Sequence, residues 1–208
     1  MPGCILYDNL LRDATITFDQ ALPAFPSVNA FDGRTNTRTG FAQGGDQYLF
    51  FDFGALKTFD TVAMARHNLA DCVGTIQVWG SNDGIDYFPI HGPVTLPNND
   101  VYLARFTQYT LRYSAISFGQ PSGTSYLADL ALGEGLDLER SQKGGFIKPE
   151  FADNDRVMPN AISGQNLAGI TLEQNVKSVK FTLHYYTASF FTDWEAINAA
   201  MKKYPIYI

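Results

Sequence analysis

Eight short runs rich in β-branched and aromatic residues, separated by turn signals, constrain this chain more than any other feature. They cover residues 13–18 (DATITF), 47–53 (QYLFFDF), 61–66 (TVAMAR), 75–80 (TIQVWG), 87–90, 103–109, 111–118 and 126–132. Such residues suit the pleated, half-buried surface of a strand. Gly54 closes the second run. Ser81-Asn82-Asp83-Gly84 follows the fourth, and Asp-Gly between extended runs signals a hairpin. Short strands at this spacing predict an antiparallel sandwich, and no window of the first 135 residues holds a long helical period. At 45% hydrophobic residues the chain can build a sizeable core.

The last third reads differently. Residues 133–149 are rich in glycine and charge, as a crossover or linker would be. Residues 1–140 carry 8 Lys+Arg against 15 Asp+Glu, whereas residues 141–208 carry 7 against 6. Segments 164–172 and 176–186 predict two strands; Val179, Phe181, Leu183 and Tyr185 alternate with polar partners at period two. Residues 192–204 predict a helix, with Thr192 and Glu195 as a capping box and Pro205 as its stop. Trp194, Ile197 and Met201 form its apolar stripe. The expected organisation is a β-sandwich over residues 1–138, a linker over 139–149, and a small α+β module over 150–208, a β-hairpin plus one C-terminal helix.

Composition narrows the function. A formal net charge of −6 disfavours nucleic acid as a partner, since a phosphate-backbone binder is normally basic. No run approaches the length of a membrane span, and residues 1–18 lack the pattern of a signal peptide, so folding in a cytoplasm is expected. Cys4 and Cys72 fit no metal or redox spacing. They read as reduced thiols, with a disulfide between them as the alternative. No serine-nucleophile elbow, zinc-protease motif or phosphate loop is present, so no catalytic residue is assigned and no enzyme is expected. His67, in Ala65-Arg66-His67-Asn68-Leu69, reads either as a ligand contact or as a hydrogen-bonded loop residue. Trp79, Tyr87, Phe41 and Arg66 are candidates for a shallow sugar site, because sugars stack on aromatic faces and hydrogen-bond at their edges. Packing within the sandwich is the alternative for each.

Residues 29–40 crowd oxygen-bearing side chains into a glycine-containing loop. Such a loop suits either a hard cation such as Ca²⁺ or a solvated turn. Residues 29–39 also resemble the "DG…T-R-W" loop of discoidin-like domains (the F5/8 type C, galactose-binding-like jelly roll). QYLFFDFG at 47–54, the strand at 59–65, IQVWGSND at 76–83 with Gly84 and Tyr87, and YLADLALG at 126–133 follow in that family's order. The resemblance implies a jelly-roll β-sandwich whose loops at one end bind glycans, lipid headgroups or protein. It also implies a possible structural Ca²⁺, no cofactor being required, with Asp32 and Thr37 as loop ligands and Asp129 as the closing-strand acid. Thr39 stands where the family often has Trp, and Asp129 replaces its usual Glu.

A narrower resemblance covers nearly the whole chain. Residues 63–69 (AMARHNL), followed by GSNDG at 80–84, are similar to a motif of discoidin-like virion proteins of tailed bacteriophages. The order of the second module, through Trp194 to the aromatic end at Tyr204 and Tyr207, is similar too. It implies a structural component of a tail tip or baseplate, located in the virion and assembled in the host cytoplasm. Other tail proteins and further copies of the chain would be its partners. Arg66, His67 and Asn68 would join Trp79, Tyr87 and Phe41 at a site for host-surface glycan, and Trp194, Tyr204 and Tyr207 would serve assembly. The alternative is a free carbohydrate-binding module.

Overall fold

The computed structural model describes residues 4–137, apart from 7, 19–21, 23, 33–36 and 42–43, together with Thr192. The strands are β1 (Cys4–Leu6), β2 (Thr15–Phe18), β3 (Thr39–Phe41), β4 (Gln47–His67), β5 (Ile76–Ser81), β6 (Phe88–Val94), β7 (Tyr102–Phe118), β8 (Ser125–Gly133) and β9 (Gly135–Asp137). One helical turn, α1 (Leu69–Cys72), follows β4. The linker, the second module and its assembly residues Trp194, Tyr204 and Tyr207 lie outside the described residues; Thr192 is helical and exposed.

Two long strands organise a β-sandwich. β4 has 21 residues and β7 has 17, and they pair antiparallel over most of their length. The first part of β4 lies between β2 and β7, and β7 carries the sheet on to β5 and β6. The later part of β4 pairs with β8, which takes β3 on its other side. The two layers therefore share their central strands. The expected breaks at Gly54 and between the runs 103–109 and 111–118 are absent. Gly54 instead adopts a left-handed φ of +72°, and the ladder shifts register between Asp52 and Lys57. A bulge of this kind bends a strand without ending it. The 133–149 segment also begins earlier as structure than as linker, because Gly135–Asp137 pairs with β1.

The interior is built from phenylalanines. Phe41 and Phe118 approach to 4.5 Å between ring centroids, with Phe18 edge-on to Phe41 at 5.2 Å. Phe31 meets Phe51 at 5.8 Å, and Phe53 meets Phe59 at 5.6 Å. Burying each such side chain contributes about 1.5–3 kcal/mol. Polar clasps close the sandwich. Asn9 Nδ2 donates to the Leu130 carbonyl at 2.8 Å, while its Oδ1 accepts from Leu11 and Leu132 N–H. Asp60, buried, accepts from Thr61 Oγ1 at 2.7 Å and from Gly135 N–H at 2.8 Å. Arg105 bridges Asp60 to Asp137 and so pins β9 to the long strands. Cys4 and Cys72 are both free.

Candidate functional site

The outer face of the five-stranded layer follows from period two. Along β4, Gln47, Leu49, Phe51 and Phe53 are buried, whereas Tyr48, Phe50 and Asp52 are half-buried on the other face. Register extends that face across the sheet. Thr17, Phe50, Ala115 and Trp79 form one row over β2, β4, β7 and β5. Thr15, Asp52, Tyr113 and Ser81 form the next. Ala115 is the small member between two aromatics, and this leaves a trough with an aromatic wall on each side. Trp79 Nε1 donates to Ser117 Oγ at 2.9 Å, which fixes the indole over β7.

The connection from β5 to β6 covers this face. Ser81 Oγ accepts from Gly84 N–H at 3.0 Å, and Asp83 Oδ1 accepts from Ile85 and Asp86 N–H at 2.9 and 3.0 Å. These bonds shape an Asx-type turn. Gly84 has φ +77°, and a Cβ there would meet the Tyr113 ring at 3.1 Å. Glycine therefore lets the loop lie directly on Tyr113. Tyr87, at the end of the loop, meets Phe50 edge-on at 5.4 Å.

The result is a groove of two compartments sharing Phe50, Gly84 and Tyr87. The one toward β2 has a volume of about 440 Å³ and adds Thr15, Thr17, Phe51, Asp52 and Tyr113. The one toward β5 is about 460 Å³ and adds Tyr48, Trp79, Ile85 and Ala115. Both lie in the size range of small-molecule sites. Arg112 Nε and Nη2 bind the Asp52 carboxylate in a fork, each at 2.9 Å, and the guanidinium sits 4.9 Å from the Tyr113 ring centroid. The Arg112 hydrogen bonds, with that from Gly54 N–H, hold the Asp52 carboxyl below the usual carboxylate range. Burial, with Tyr113, Asp52 and Asp83 nearby, pushes the Tyr87 phenol up, so it stays a protonated donor at neutral pH.

The residues singled out in the sequence separate into three places. Trp79 and Tyr87 meet in the groove. Phe41 lies in the core, fully buried against Phe18 and Phe118, and has no free face to offer a sugar. Arg66, His67 and Asn68 turn the chain from β4 into α1, at the end of the sandwich away from Gly54. Arg66 is exposed with φ +52°. His67 is buried, and desolvation lowers its pKa against opposing contacts from Asp100 and Asn99. Asn68 staples the turn to β8, donating to the Thr124 carbonyl at 2.9 Å and accepting from Tyr126 N–H at 2.8 Å. At the same end Thr37 Oγ1 donates to Asp32 Oδ2 at 2.7 Å. The β3–β8 ladder ends with Thr39 opposite Leu127, and Asp129, two residues further along β8, is buried and pairs with Ala65 of β4. No cluster of three or more His, Cys, Asp or Glu suited to a metal occurs among the described residues.

Tyr48, Phe50, Asp52, Arg112 and Tyr113 are groove residues that sequence reading passed over. A signal was present: Asp52 marks the outward phase of β4, and Tyr48 and Phe50 share that phase.

No protein-family model matches the chain, and no curated protein matches its sequence. Solved structures do match. One is chitosan-binding module 1 from a chitosanase/glucanase of Paenibacillus sp. IK-5, at 20% identity and TM-score 0.53, covering 60% of this chain and 98% of that one. The described domain has the jelly-roll fold of carbohydrate-binding modules. A second is CpGH89CBM32-5 from Clostridium perfringens, in complex with GalNAc-β-1,3-galactose, at 14% identity and TM-score 0.53, covering 61% and 99%. A third is the GH29 fucosidase E1_10125 of Ruminococcus gnavus, at 15% identity and TM-score 0.53, where the match covers 62% of this chain and 27% of the enzyme. No helix among the described residues is long and apolar enough to cross a membrane.

Proposed function

We propose that this chain is a non-catalytic carbohydrate-binding protein and that the groove over β2, β4, β7 and β5 holds the saccharide. One observation carries the reading. The aromatic side chains of Tyr48, Phe50, Trp79, Tyr87 and Tyr113 line a trough beside the Thr15 and Thr17 hydroxyls and the Asp52 carboxylate. Sugar rings present apolar faces for stacking and polar edges for hydrogen bonds. The fold shared with modules from Paenibacillus and Clostridium perfringens supports the same class. A glycan array probed with the full chain and with Trp79→Ala tests it. The expected result is a set of hits that the substitution abolishes; an array without hits at high protein concentration overturns the reading.

The virion setting is a second, finer proposal. It rests on the resemblance at residues 63–69 and 80–84 and on the order of the segments after residue 150. In that setting the sandwich projects from a tail tip or baseplate toward host-surface glycan, and residues 145–208, with Trp194, Tyr204 and Tyr207, anchor it among tail proteins and further copies of itself. Native mass spectrometry should then show a discrete oligomer, and deleting residues 145–208 should abolish incorporation into particles. We also propose a Ca²⁺ held at the β3–β8 end by Asp32, Thr37 and Asp129. These supply part of the six to eight oxygens the ion takes, and backbone carbonyls would complete the set. Added Ca²⁺ should raise the melting temperature over an EDTA control; unchanged melting argues against the ion.

A further inference from the structure

The two compartments differ in chemistry, and the difference bears on which saccharide fits. The β5-side compartment is apolar: Tyr48, Trp79, Ile85 and Ala115 beside the shared Phe50 and Tyr87. The β2-side compartment adds the hydroxyls of Thr15, Thr17 and Tyr113 and the carboxylate of Asp52. Of the residues lining the two, Asp52 alone is charged. Its Oδ1 accepts from Gly54 N–H and Arg112 Nε, which occupies both lone pairs. Its Oδ2 accepts one bond, from Arg112 Nη2, and keeps one acceptor position. Arg112, the neighbouring cation, is not among the lining residues; its Nε and Nη2 bind Asp52 and its guanidinium sits over Tyr113. The covering loop brings two further acids, Asp83 and Asp86, both exposed. The groove therefore presents one oriented acceptor in an acidic setting and no uncommitted cation among its lining residues. From β2 to β5 it spans three interstrand steps, roughly 14 Å, which is longer than one pyranose ring.

We propose that the groove takes a linear oligosaccharide of uncharged or amino-bearing sugars laid across the strands, one ring stacked on Trp79 and the adjoining ring donating a hydroxyl or amino hydrogen to Asp52 Oδ2, and that it rejects uronates. This rests on the carbohydrate-binding reading above and specifies its ligand class. Asp52 acts as the direct acceptor, and Arg112 positions it. A negatively charged ring at the β2-side compartment would meet Asp52 at short range, with the nearest cation, Arg112, already paired to that carboxylate and Asp83 and Asp86 on the covering loop, an arrangement that builds specificity by repulsion.

The test uses the full chain on an array of matched neutral, amino and uronate oligosaccharides, followed by calorimetric titration of the strongest hit, its monosaccharide and hexagalacturonate. Wild type, Asp52→Asn and Trp79→Ala are compared, with Asp52→Ser replacing Asp52→Asn if thermal unfolding shows the latter to be destabilised. Hits confined to neutral and amino sugars support the proposal. So do an oligosaccharide at least tenfold tighter than its monosaccharide, a loss of roughly tenfold or more in Asp52→Asn, as expected for a charge-assisted hydrogen bond, and a gain of hexagalacturonate binding in that variant. Equal binding of hexagalacturonate and the neutral hit by wild type overturns it. Neutral binding that Asp52→Asn leaves unchanged, or that a monosaccharide matches, also overturns it while the carbohydrate-binding reading stands. Hits that Trp79→Ala leaves intact place the sugar elsewhere and overturn both the groove assignment and this proposal. An array with no hits removes the carbohydrate-binding reading and this proposal with it.

Discussion

Phe50 and Phe51 are neighbours on one strand, and they do opposite work. Phe51 is 1% exposed and meets Phe31 in the core, while Phe50 stands half-buried on the outer face and meets Tyr87. The same contrast repeats on β4 and β5, with Leu49 and Val78 buried and Tyr48 and Trp79 half-buried on the outer face. The residue type is shared; the phase of the pleat decides whether an aromatic stabilises the fold or is available to a ligand. The comparison breaks most cleanly by truncating each ring in turn. Phe51→Ala should lose about 3–5 kcal/mol of stability through its cavity. Phe50→Ala should lose about 1 kcal/mol. Urea unfolding measures both, and equal losses would show that the outer face is a second core rather than a site.

Asp60 and Asp52 extend the contrast to carboxylates. Both bond an arginine of β7, but Asp60 is buried and ties β9 down, whereas Asp52 opens on the groove. Burial alone would raise the Asp60 pKa; the bonds from Arg105, Gly135 N–H and Thr61 outweigh it and hold it low. A carboxyl depressed in the folded state stabilises above its unfolded value, about 3.9 for Asp, and that stability is lost as pH falls through the folded value. Stability should therefore drop below about pH 4. Asp60→Asn should lose about 2 kcal/mol at pH 7 and flatten that acid limb without altering sugar affinity. An unchanged acid limb would assign the loss to other groups.

Trp79→Ala sharpens the comparison from the ligand side. It should weaken the strongest oligosaccharide by roughly tenfold or more, as truncating a buried aromatic anchor of a binding site does, and lower stability by about 1 kcal/mol. Calorimetric titration beside thermal unfolding separates the two. A matched loss in both would mean that Trp79 acts by holding the sheet.

These same positions show what was legible beforehand. The sandwich was, because turn residues and period two repeat along most of the described chain. Trp79 and Tyr87 are legible as aromatics on either side of the GSNDG turn, and the fold sets both along one groove. Phe50 was hidden: LFFDF is apolar on both phases, and only Asp52 tells which one faces water. Phe41 was misjudged because an aromatic beside a polar loop looks available until β3 pairs with β8 and turns it inward. Asp52 and Arg112 are 60 residues apart. Their union depends on β4–β7 register, which no local pattern encodes. Gly54 reads as a stop because a glycine with left-handed φ serves a turn and a bulge alike.

Gly54 and Gly84 supply the smallest and most discriminating comparison. Both hold left-handed φ, +72° and +77°. Nothing lies within 4 Å of a Cβ at Gly54, whereas one at Gly84 meets the Tyr113 ring at 3.1–3.3 Å. Alanine at either position should lose about 1 kcal/mol from backbone strain. At Gly54 the N–H that bonds Asp52 survives, so affinity should hold. At Gly84 the added methyl lifts the loop from Tyr113 and displaces the Tyr87 wall common to both compartments. Gly84→Ala should therefore weaken sugar binding several-fold, at a stability loss somewhat above that of Gly54→Ala because the Tyr113 contact must also give. Equal affinities in the two variants would show that the loop merely covers the sheet, and that the ligand is held by the strands alone.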